Sequence, residues 1–76
     1  MKLYTGGYLT FYMPGRKNTL EMQINASTRL SDILIELQIP IAEVHLVSLN
    51  GQQVDLAEAT ITDTDEVRIF SSVDGG

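Results

Sequence analysis

Two stretches in the first third of the chain alternate between apolar and polar residues. Residues 8–13 read YLTFYM and residues 19–26 read TLEMQINA, and this period of two is typical of half-buried β-strands. Pro14 and Gly15 lie between the two stretches and favour an exposed turn. The sequence therefore predicts a β-hairpin with a short loop. The residues expected on its inward face are Leu9, Phe11, Met13, Leu20, Met22 and Ile24.

The apolar period changes in residues 27–40, STRLSDILIELQIP. Apolar residues at i, i+3, i+4 and i+7 form one stripe along an α-helix, so this segment predicts an amphipathic helix. A hydroxyl of Ser27 or Thr28 is expected to accept a hydrogen bond from the first turn of that helix. Pro40 is expected to end it, because proline has no backbone N–H. The apolar stripe consists of Leu30, Ile33, Leu34 and Leu37.

The second half of the chain predicts three further strands. Residues 46–49 alternate and precede the Asn-Gly dipeptide at 50–51, which is typical of a tight hairpin turn, and a short strand around 53–54 would pair back. Residues 55–65 are expected to form a loop, with or without a single helical turn. Residues 66–70, EVRIF, form the last predicted strand. The inward residues of these strands are Val47, Leu49, Val67 and Ile69.

The elements follow one another as strand, strand, helix, strand, short strand and strand. Because one amphipathic helix can cover one face of a sheet, the sequence predicts a two-layer α+β domain with a mixed sheet of four to five strands. We expect residues 1–70 to form the domain, with Leu34 buried, and residues 71–76 to form a flexible tail. The helix stripe is expected to pack on Leu9, Phe11, Leu20, Met22, Val47, Leu49, Val67 and Ile69.

The residue content excludes some kinds of chemistry, and the net charge disfavours some classes of binding partner. The 76 residues include no cysteine, which excludes disulfides, thiolate metal sites and thiol nucleophiles. The formal charge is -5, and from Glu43 onward Arg68 is the only basic residue. Such a surface disfavours nucleic acid and anionic lipid and favours a basic partner. With no signal peptide or membrane-spanning run, we expect a cytoplasmic protein that is monomeric when free.

Few residues are candidates for chemistry of their own. His45 falls on the predicted inward edge of a strand, where a packed histidine is more common than a catalytic one. The acids within residues 63–66 lack the ligand spacing of a calcium loop and predict a solvated turn. Gly6 and Gly7 lack the context of a phosphate loop and predict a bend. We therefore expect no catalytic residue, no metal site and no bound cofactor.

An outward-facing group of aromatic and apolar residues is the main candidate for binding. Alternation places Phe70 outward, near Leu46 of a neighbouring strand. Tyr8 or Tyr12 would lie beside it in the predicted first strand, and Arg68 would face outward from the same strand as Phe70. Exposed aromatic residues grouped on one face are typical of protein docking sites, so these residues form the predicted partner-docking surface.

Three local features together resemble a known family. They are the opening hairpin followed by a helix that begins STRLSDIL, the strand and turn VSLNGQQV, and the closing segment ITDTDEVRIFSSVDGG. In this order the chain resembles the ubiquitin-like β-grasp domains, and among them the small sulfur-carrier proteins. These include the small subunit of molybdopterin synthase and the thiazole-forming carrier of thiamine synthesis. The resemblance extends over essentially the whole chain and is most specific in the closing segment.

The resemblance implies a protein cosubstrate with no catalysis of its own. An activating enzyme would use ATP to adenylate the Gly76 carboxylate, and sulfur would then displace AMP to leave a thiocarboxylate. Gly75, Asp74 and Val73 would thread through the partner's narrow channel, where glycine admits close backbone approach. The expected partners are this adenylating enzyme and a sulfur-accepting synthase subunit. A molybdopterin- or tungstopterin-type pathway is favoured over thiamine thiazole.

Two departures from the family pattern bear on partner choice. Molybdopterin carriers often have two prolines where this chain has Ser71 and Ser72, and Asp74 places a charge beside the diglycine. The alternative function is a ubiquitin-like modifier conjugated through Gly76 to lysines of target proteins. Such modifiers usually carry basic residues before the diglycine, and this chain has none there. A third hypothesis is an interaction domain in which the diglycine has no role.

Overall fold

The computed structural model describes residues 1–72 of the chain. This part contains seven β-strands and one α-helix. The helix, α1, spans Leu30–Glu36. The strands are β1 (Lys2–Gly6), β2 (Thr19–Glu21), β3 (Thr28–Arg29), β4 (Leu46–Leu49), β5 (Gln52–Val54), β6 (Thr60–Ile61) and β7 (Glu66–Phe70). The connections include 3₁₀ helices at Gly7–Tyr12, Pro14–Arg16 and Ile41–Glu43.

Five of these strands form one mixed sheet in the order β2-β1-β7-β4-β5. Strands β1 and β7 run parallel at its centre, and the other pairs are antiparallel. Helix α1 packs on one face of this sheet, which gives the predicted two-layer α+β domain and is consistent with a β-grasp fold. Strands β3 and β6 form a separate two-stranded ladder at the start of the helix.

The first strand lies earlier in the chain than the alternating pattern predicted. Strand β1 has buried Leu3 and Thr5 on one side and half-buried Tyr4 on the other, and the strand predicted at 8–13 is wrong. Gly7 adopts φ +67°, a left-handed conformation that ends the extended run. The apolar pattern missed β1 because one of its inward residues, Thr5, is polar.

A 3₁₀ helix occupies residues 7–12 where a strand was expected. Leu9 is fully buried, but Phe11, predicted in the core, is 60% exposed, since a tighter helical turn does not keep alternate residues on one side. An antiparallel hairpin does precede α1, but it pairs β1 with β2, with Leu3 opposite Leu20, and not residues 8–13 with residues 19–26 as predicted. Its connection spans residues 7–18 and is not the short loop that the sequence predicted.

Helix α1 follows the predicted stripe but not the predicted capping. Leu34 is fully buried as expected. The N-cap residue is Arg29, with no side-chain cap, so the cap by Ser27 or Thr28 is wrong. Thr28 lies in β3, and its hydroxyl donates to the Ala26 carbonyl oxygen at 2.7 Å.

The end of α1 is set by backbone hydrogen bonds, before Pro40 is reached. The Gln38 N–H donates to the Ile35 carbonyl at 3.0 Å, and the Ile39 N–H donates to the Leu34 carbonyl at 2.9 Å. This pair of bonds is a Schellman motif, with Gln38 at φ +63° in the left-handed position. The buried side chains of Leu34 and Ile39 complete the motif, and the prediction that Pro40 ends the helix is wrong.

The strands of the second half lie close to their predicted positions. Val47 is buried in β4, and the tight turn follows at Asn50 and Gly51, both with positive φ. Strand β7 begins and ends at the predicted residues, with Val67 and Ile69 fully buried. The sequence missed β6, whose Ile61 is fully buried within the segment expected to be a loop.

The core lies between α1 and the main sheet. Most of the predicted core residues are buried or half-buried in it, the exception being Phe11. Core residues that the sequence pattern did not predict are Met1, Leu3, Ile39, Ala59 and Ile61.

Candidate functional site

The sheet face opposite α1 carries two of the residues predicted for partner docking. Phe70 pairs with Leu46 of β4 on one side and with Gly6 of β1 on the other. A Cβ atom on Gly6 would lie 2.5 Å from Phe70 Cδ1, so the ring lies over the Gly6 backbone. Phe70 and Leu46 are each half-buried. The structure therefore brings them together on one accessible surface.

Arg68 extends this surface along the sheet with a stacked aromatic contact. Its guanidinium carbon lies 4.5 Å from the centroid of the Tyr4 ring, and Nη2 lies 3.4 Å from Glu66 Oε1. The Lys2 ammonium lies 5.3 Å from the same ring centroid. Cations over an aromatic face are attracted by its quadrupole. We call the surface formed by Phe70, Leu46, Arg68 and Tyr4 the docking face.

Tyr4 is the member of the docking face that the sequence did not predict. The error follows from the misplaced first strand, which assigned the neighbouring aromatic positions to residues 8–13. The alternation of buried Met1, Leu3 and Thr5 with outward residues was the available signal, although it includes one polar residue.

Tyr8 and Tyr12, also predicted for docking, do not lie on a strand. Both belong to the 3₁₀ helix Gly7–Tyr12. The Tyr12 hydroxyl donates to Glu43 Oε2 at 2.8 Å, and this bond to Glu43 raises the pKa of the Tyr12 hydroxyl above its usual value of 10.0. Tyr8 is 53% exposed and lies beside the end of β7, because its N–H donates to Ser71 Oγ at 2.8 Å.

A cleft of about 310 Å³ lies where β7 ends. Ser71 at its edge is only 5% exposed, so the first residue beyond β7 is held by the domain. The cleft is therefore next to the point from which the closing segment continues. Its lining residues are Tyr8, Ala42, Glu43, Val44, His45, Ser71 and Ser72.

His45 is exposed, and its predicted inward position is wrong. It precedes β4, and its backbone N–H donates to the Phe70 carbonyl at 2.7 Å. The main chain of His45 thus extends the pairing between β4 and β7 by one bond, while its imidazole is left at the edge of the cleft.

Asp63 and Asp65, in the loop before β7, accept hydrogen bonds both from that loop and from other parts of the chain. Asp63 Oδ1 accepts from the Ile24 N–H at 2.8 Å. Asp65 Oδ2 accepts from the Thr62 N–H at 2.7 Å, and Asp65 Oδ1 accepts from Asn50 Nδ2 at 2.9 Å. Within residues 1–72, no group of three or more His, Asp or Glu side chains is arranged to hold a metal ion.

Residues 73–76 lie outside the described residues. They include Gly76, predicted to carry the activated carboxylate, and Val73, Asp74 and Gly75, predicted to thread through the partner's channel. Over residues 1–72 no helix has both the length and the apolar character to cross a lipid bilayer.

Comparison with protein-family models finds no model that matches this chain, and comparison with curated proteins finds no match.

Proposed function

We propose that this protein is a sulfur carrier whose Gly76 carboxylate is activated by adenylation and converted to a thiocarboxylate. The observation that carries the proposal is the β-grasp sheet order together with the closing segment TDTDEVRIF and the diglycine at 75–76. In this order β7 lies at the centre of the sheet, and the chain continues from it beside the docking face. The thiocarboxylate would supply sulfur to a pterin-type cofactor pathway.

The chemistry requires a free carboxylate on Gly76 and uses groups supplied by partners. A carboxylate oxygen attacks the α-phosphorus of ATP, and pyrophosphate leaves. A sulfide-level nucleophile then attacks the acyl carbon, and AMP departs with the oxygen, so that a thiocarboxylate remains. None of the docking-face residues takes part in these bonds. Their role is to bind the adenylating enzyme, and afterwards the sulfur-accepting synthase subunit.

The residue types of the docking face are typical of surfaces that bind other proteins. A half-buried aromatic ring next to a leucine, flanked by an arginine, is the kind of residue group that dominates protein interfaces. The chain has twice as many acidic as basic residues, which favours an activating enzyme with a basic surface around its channel.

The mass of the C-terminal peptide of the protein isolated from its own cells tests the proposal. A free C-terminus at Gly76 that carries a gain of about 16 Da, one oxygen replaced by sulfur, is the expected result. Diglycine remnants on lysines of other proteins would instead indicate the modifier function. In cells that are making the cofactor, a C-terminal peptide without the added sulfur and no diglycine remnants on other proteins would together contradict both functions.

Variants of the tail test the same step with ATP–pyrophosphate exchange in an extract of the source cells. Deletion of Gly75 and Gly76 should abolish exchange, and so should one residue added after Gly76, which displaces the reacting carbon by about 3.5 Å. Gly76→Ala keeps the length but adds a methyl group at the carbon next to the attack, so exchange should slow. Full exchange by the deleted form would contradict the proposal.

Substitution of Phe70 tests the docking face separately from the tail. Phe70→Ala should weaken binding to the activating enzyme by about 2 kcal/mol, because a central aromatic side chain often contributes this much to an interface. Ile35→Ala, which removes a 61% exposed side chain from α1 on the opposite side of the sheet, is the matched control. Equal affinities of the two variants, measured by calorimetry, would remove the docking face from the proposal.

A further inference from the structure

Gly6, the last residue of β1, and Gly7, which follows it, lie against Phe70, the last residue of β7, and Ser71, which follows that strand. Gly6 lies under the Phe70 ring, and Gly7 lies against Ser71. The Ser71 N–H donates to the Gly6 carbonyl at 3.4 Å, and Ser71 Oγ accepts from the Tyr8 N–H at 2.8 Å. These bonds hold Ser71 at 5% exposure, one of the two buried polar residues among residues 1–72.

Gly7 meets two separate requirements, one of conformation and one of space. Its φ of +67° is a conformation that residues with a Cβ rarely adopt, and a Cβ there would collide with Ser71 Oγ. Gly15 has nearly the same φ, +65°, but its Cβ would meet only Lys17 Cγ, at 3.9 Å. The space at Gly7 is therefore a feature of its contact with Ser71 and not of glycine turns in general.

We propose that Ser71 is a positioning residue that fixes the direction in which the chain leaves the sheet. We call its contacts with Gly6, Gly7 and Tyr8 the seat of Ser71. Because Ser71 follows Phe70 directly, the seat also fixes where the chain leaves the sheet relative to the docking face. The two hydrogen bonds of Ser71 restrain the backbone at this point, and the missing side chain of Gly7 provides the space that Ser71 occupies.

The inference rests on the proposed carrier function for its consequence. Docking through Phe70 would determine how well the activating enzyme binds the protein, whereas the exit direction at Ser71 would determine how often the reacting carbon reaches the enzyme's active site. A geometric error of this kind lowers the rate of the bound complex more than its affinity.

The seat itself is tested without any partner. In Ser71→Ala the Tyr8 amide loses its acceptor, so its hydrogen exchange should accelerate by at least about tenfold. Ser31→Ala, a serine-to-alanine change in the helix, should leave Tyr8 exchange unaltered. Unchanged exchange in both variants would overturn the seat.

A double-mutant cycle tests the reason for Gly7. Gly7→Ala should raise the unfolding equilibrium constant about tenfold more than Gly15→Ala, because only the former adds a collision to the strain. Much of that excess should disappear when Gly7→Ala is combined with Ser71→Ala, since the hydroxyl in the way is gone. Equal effects of Gly7→Ala and Gly15→Ala would contradict the proposed fit.

The positioning role is tested with steady-state adenylation by the activating enzyme. Ser71→Ala should lower kcat by about three- to tenfold with little change in KM, whereas Phe70→Ala should mainly raise KM. Ser71→Thr, which keeps the hydroxyl, should restore most of kcat. An unchanged kcat in Ser71→Ala, in a variant whose Tyr8 amide exchange is accelerated, would overturn the positioning role.

The outcomes separate the two proposals. The wild-type protein could fail to be adenylated while Ser71→Ala still accelerates exchange of the Tyr8 amide. That result would contradict the carrier function and the positioning role, but it would support the contacts of Ser71 with Gly6, Gly7 and Tyr8. If wild-type protein is adenylated and the Tyr8 amide does not respond to Ser71→Ala, the carrier function stands and the seat is overturned.

Discussion

Asp65 shows at the scale of one residue how a turn acid can join distant parts of the chain. Its carboxylate accepts from the Thr62 N–H and hydroxyl, at 2.7 and 3.0 Å, and from Asn50 Nδ2 at 2.9 Å. The bond from Asn50, followed by those from Thr62, lowers the pKa of this carboxyl below its usual value of 3.8. Asp65 therefore links the β4–β5 turn to the loop before β7.

The lowered pKa predicts a loss of stability in acid. A carboxyl with a lower pKa in the folded than in the unfolded protein stabilises the fold above its unfolded pKa, and this contribution disappears as the pH falls through the folded pKa. Asp65→Asn should reduce the free energy of unfolding by about 1 kcal/mol at neutral pH, a modest amount because the carboxyl is partly exposed. The difference from wild type, measured by urea unfolding, should shrink toward zero as the pH falls below 3.8 and through the lower pKa of the folded protein.

Asp55→Asn is the matched control for this prediction. Asp55 is exposed, and its carboxylate makes no hydrogen bond to any residue that the structure describes. Its substitution should leave the free energy of unfolding within about 0.5 kcal/mol of wild type at every pH. An Asp65→Asn penalty that persists unchanged in acid would show that the carboxylate charge is not the cause.

At the scale of the element, α1 combines a strong apolar stripe with an unfavourable end. The stripe places Leu30, Ile33 and Leu34 in the core, while the Schellman motif requires a left-handed residue that the sequence fills with Gln38. A residue with a Cβ costs about 1 kcal/mol in that conformation relative to glycine. Packing of the stripe offsets this cost, since a short isolated helix would not be stable in water.

Gln38→Gly should therefore stabilise the protein by about 0.5–1 kcal/mol, because glycine adopts the left-handed conformation without a Cβ penalty. The measurement is the midpoint of urea unfolding at constant m. Glu36→Gly, two residues earlier and exposed within α1, is the control and should destabilise by about 1 kcal/mol. Destabilisation by both substitutions would contradict the role of residue 38 as a left-handed cap.

At the scale of the whole molecule, the parallel pair of β1 and β7 joins the two ends of the domain. Lys2 pairs with Glu66 and Gly6 pairs with Phe70, so the first and last strands pack side by side at the centre of the sheet. The contacts of Ser71 add one further residue to this junction. We therefore expect Ser71, the first residue beyond β7, to contribute to the stability of the domain.

Two truncations test where that contribution ends. Removal of Gly75 and Gly76 should leave the free energy of unfolding within about 0.5 kcal/mol of wild type, because two glycines bring no side chain to pack. Removal of residues 71–76 should cost about 1–2 kcal/mol, because it also takes away both hydrogen bonds of Ser71. Urea unfolding of the three forms measures both effects. Identical stability of all three would show that Ser71 does not stabilise the domain.

Several elements could be predicted from the sequence because their signals are local. The stripe of α1, the Asn50-Gly51 turn and the alternation of β7 each depend on residues within one element, where the periods of helix and strand differ clearly. The α+β class followed from their order. The same local reasoning placed Phe70 and Leu46 on one face of the sheet, where they pair across β7 and β4.

Other features were decided only by contacts between residues far apart in the chain. Polar Thr5 is buried because β1 lies at the centre of the sheet, and Ile61 is buried because β6 pairs with β3. Residues 7–12 alternate like a strand, yet they form a 3₁₀ helix beyond the left-handed turn at Gly7, where Ser71 packs. No local pattern marks such a partner more than sixty residues away, because its effect on the backbone exists only once the sheet is assembled.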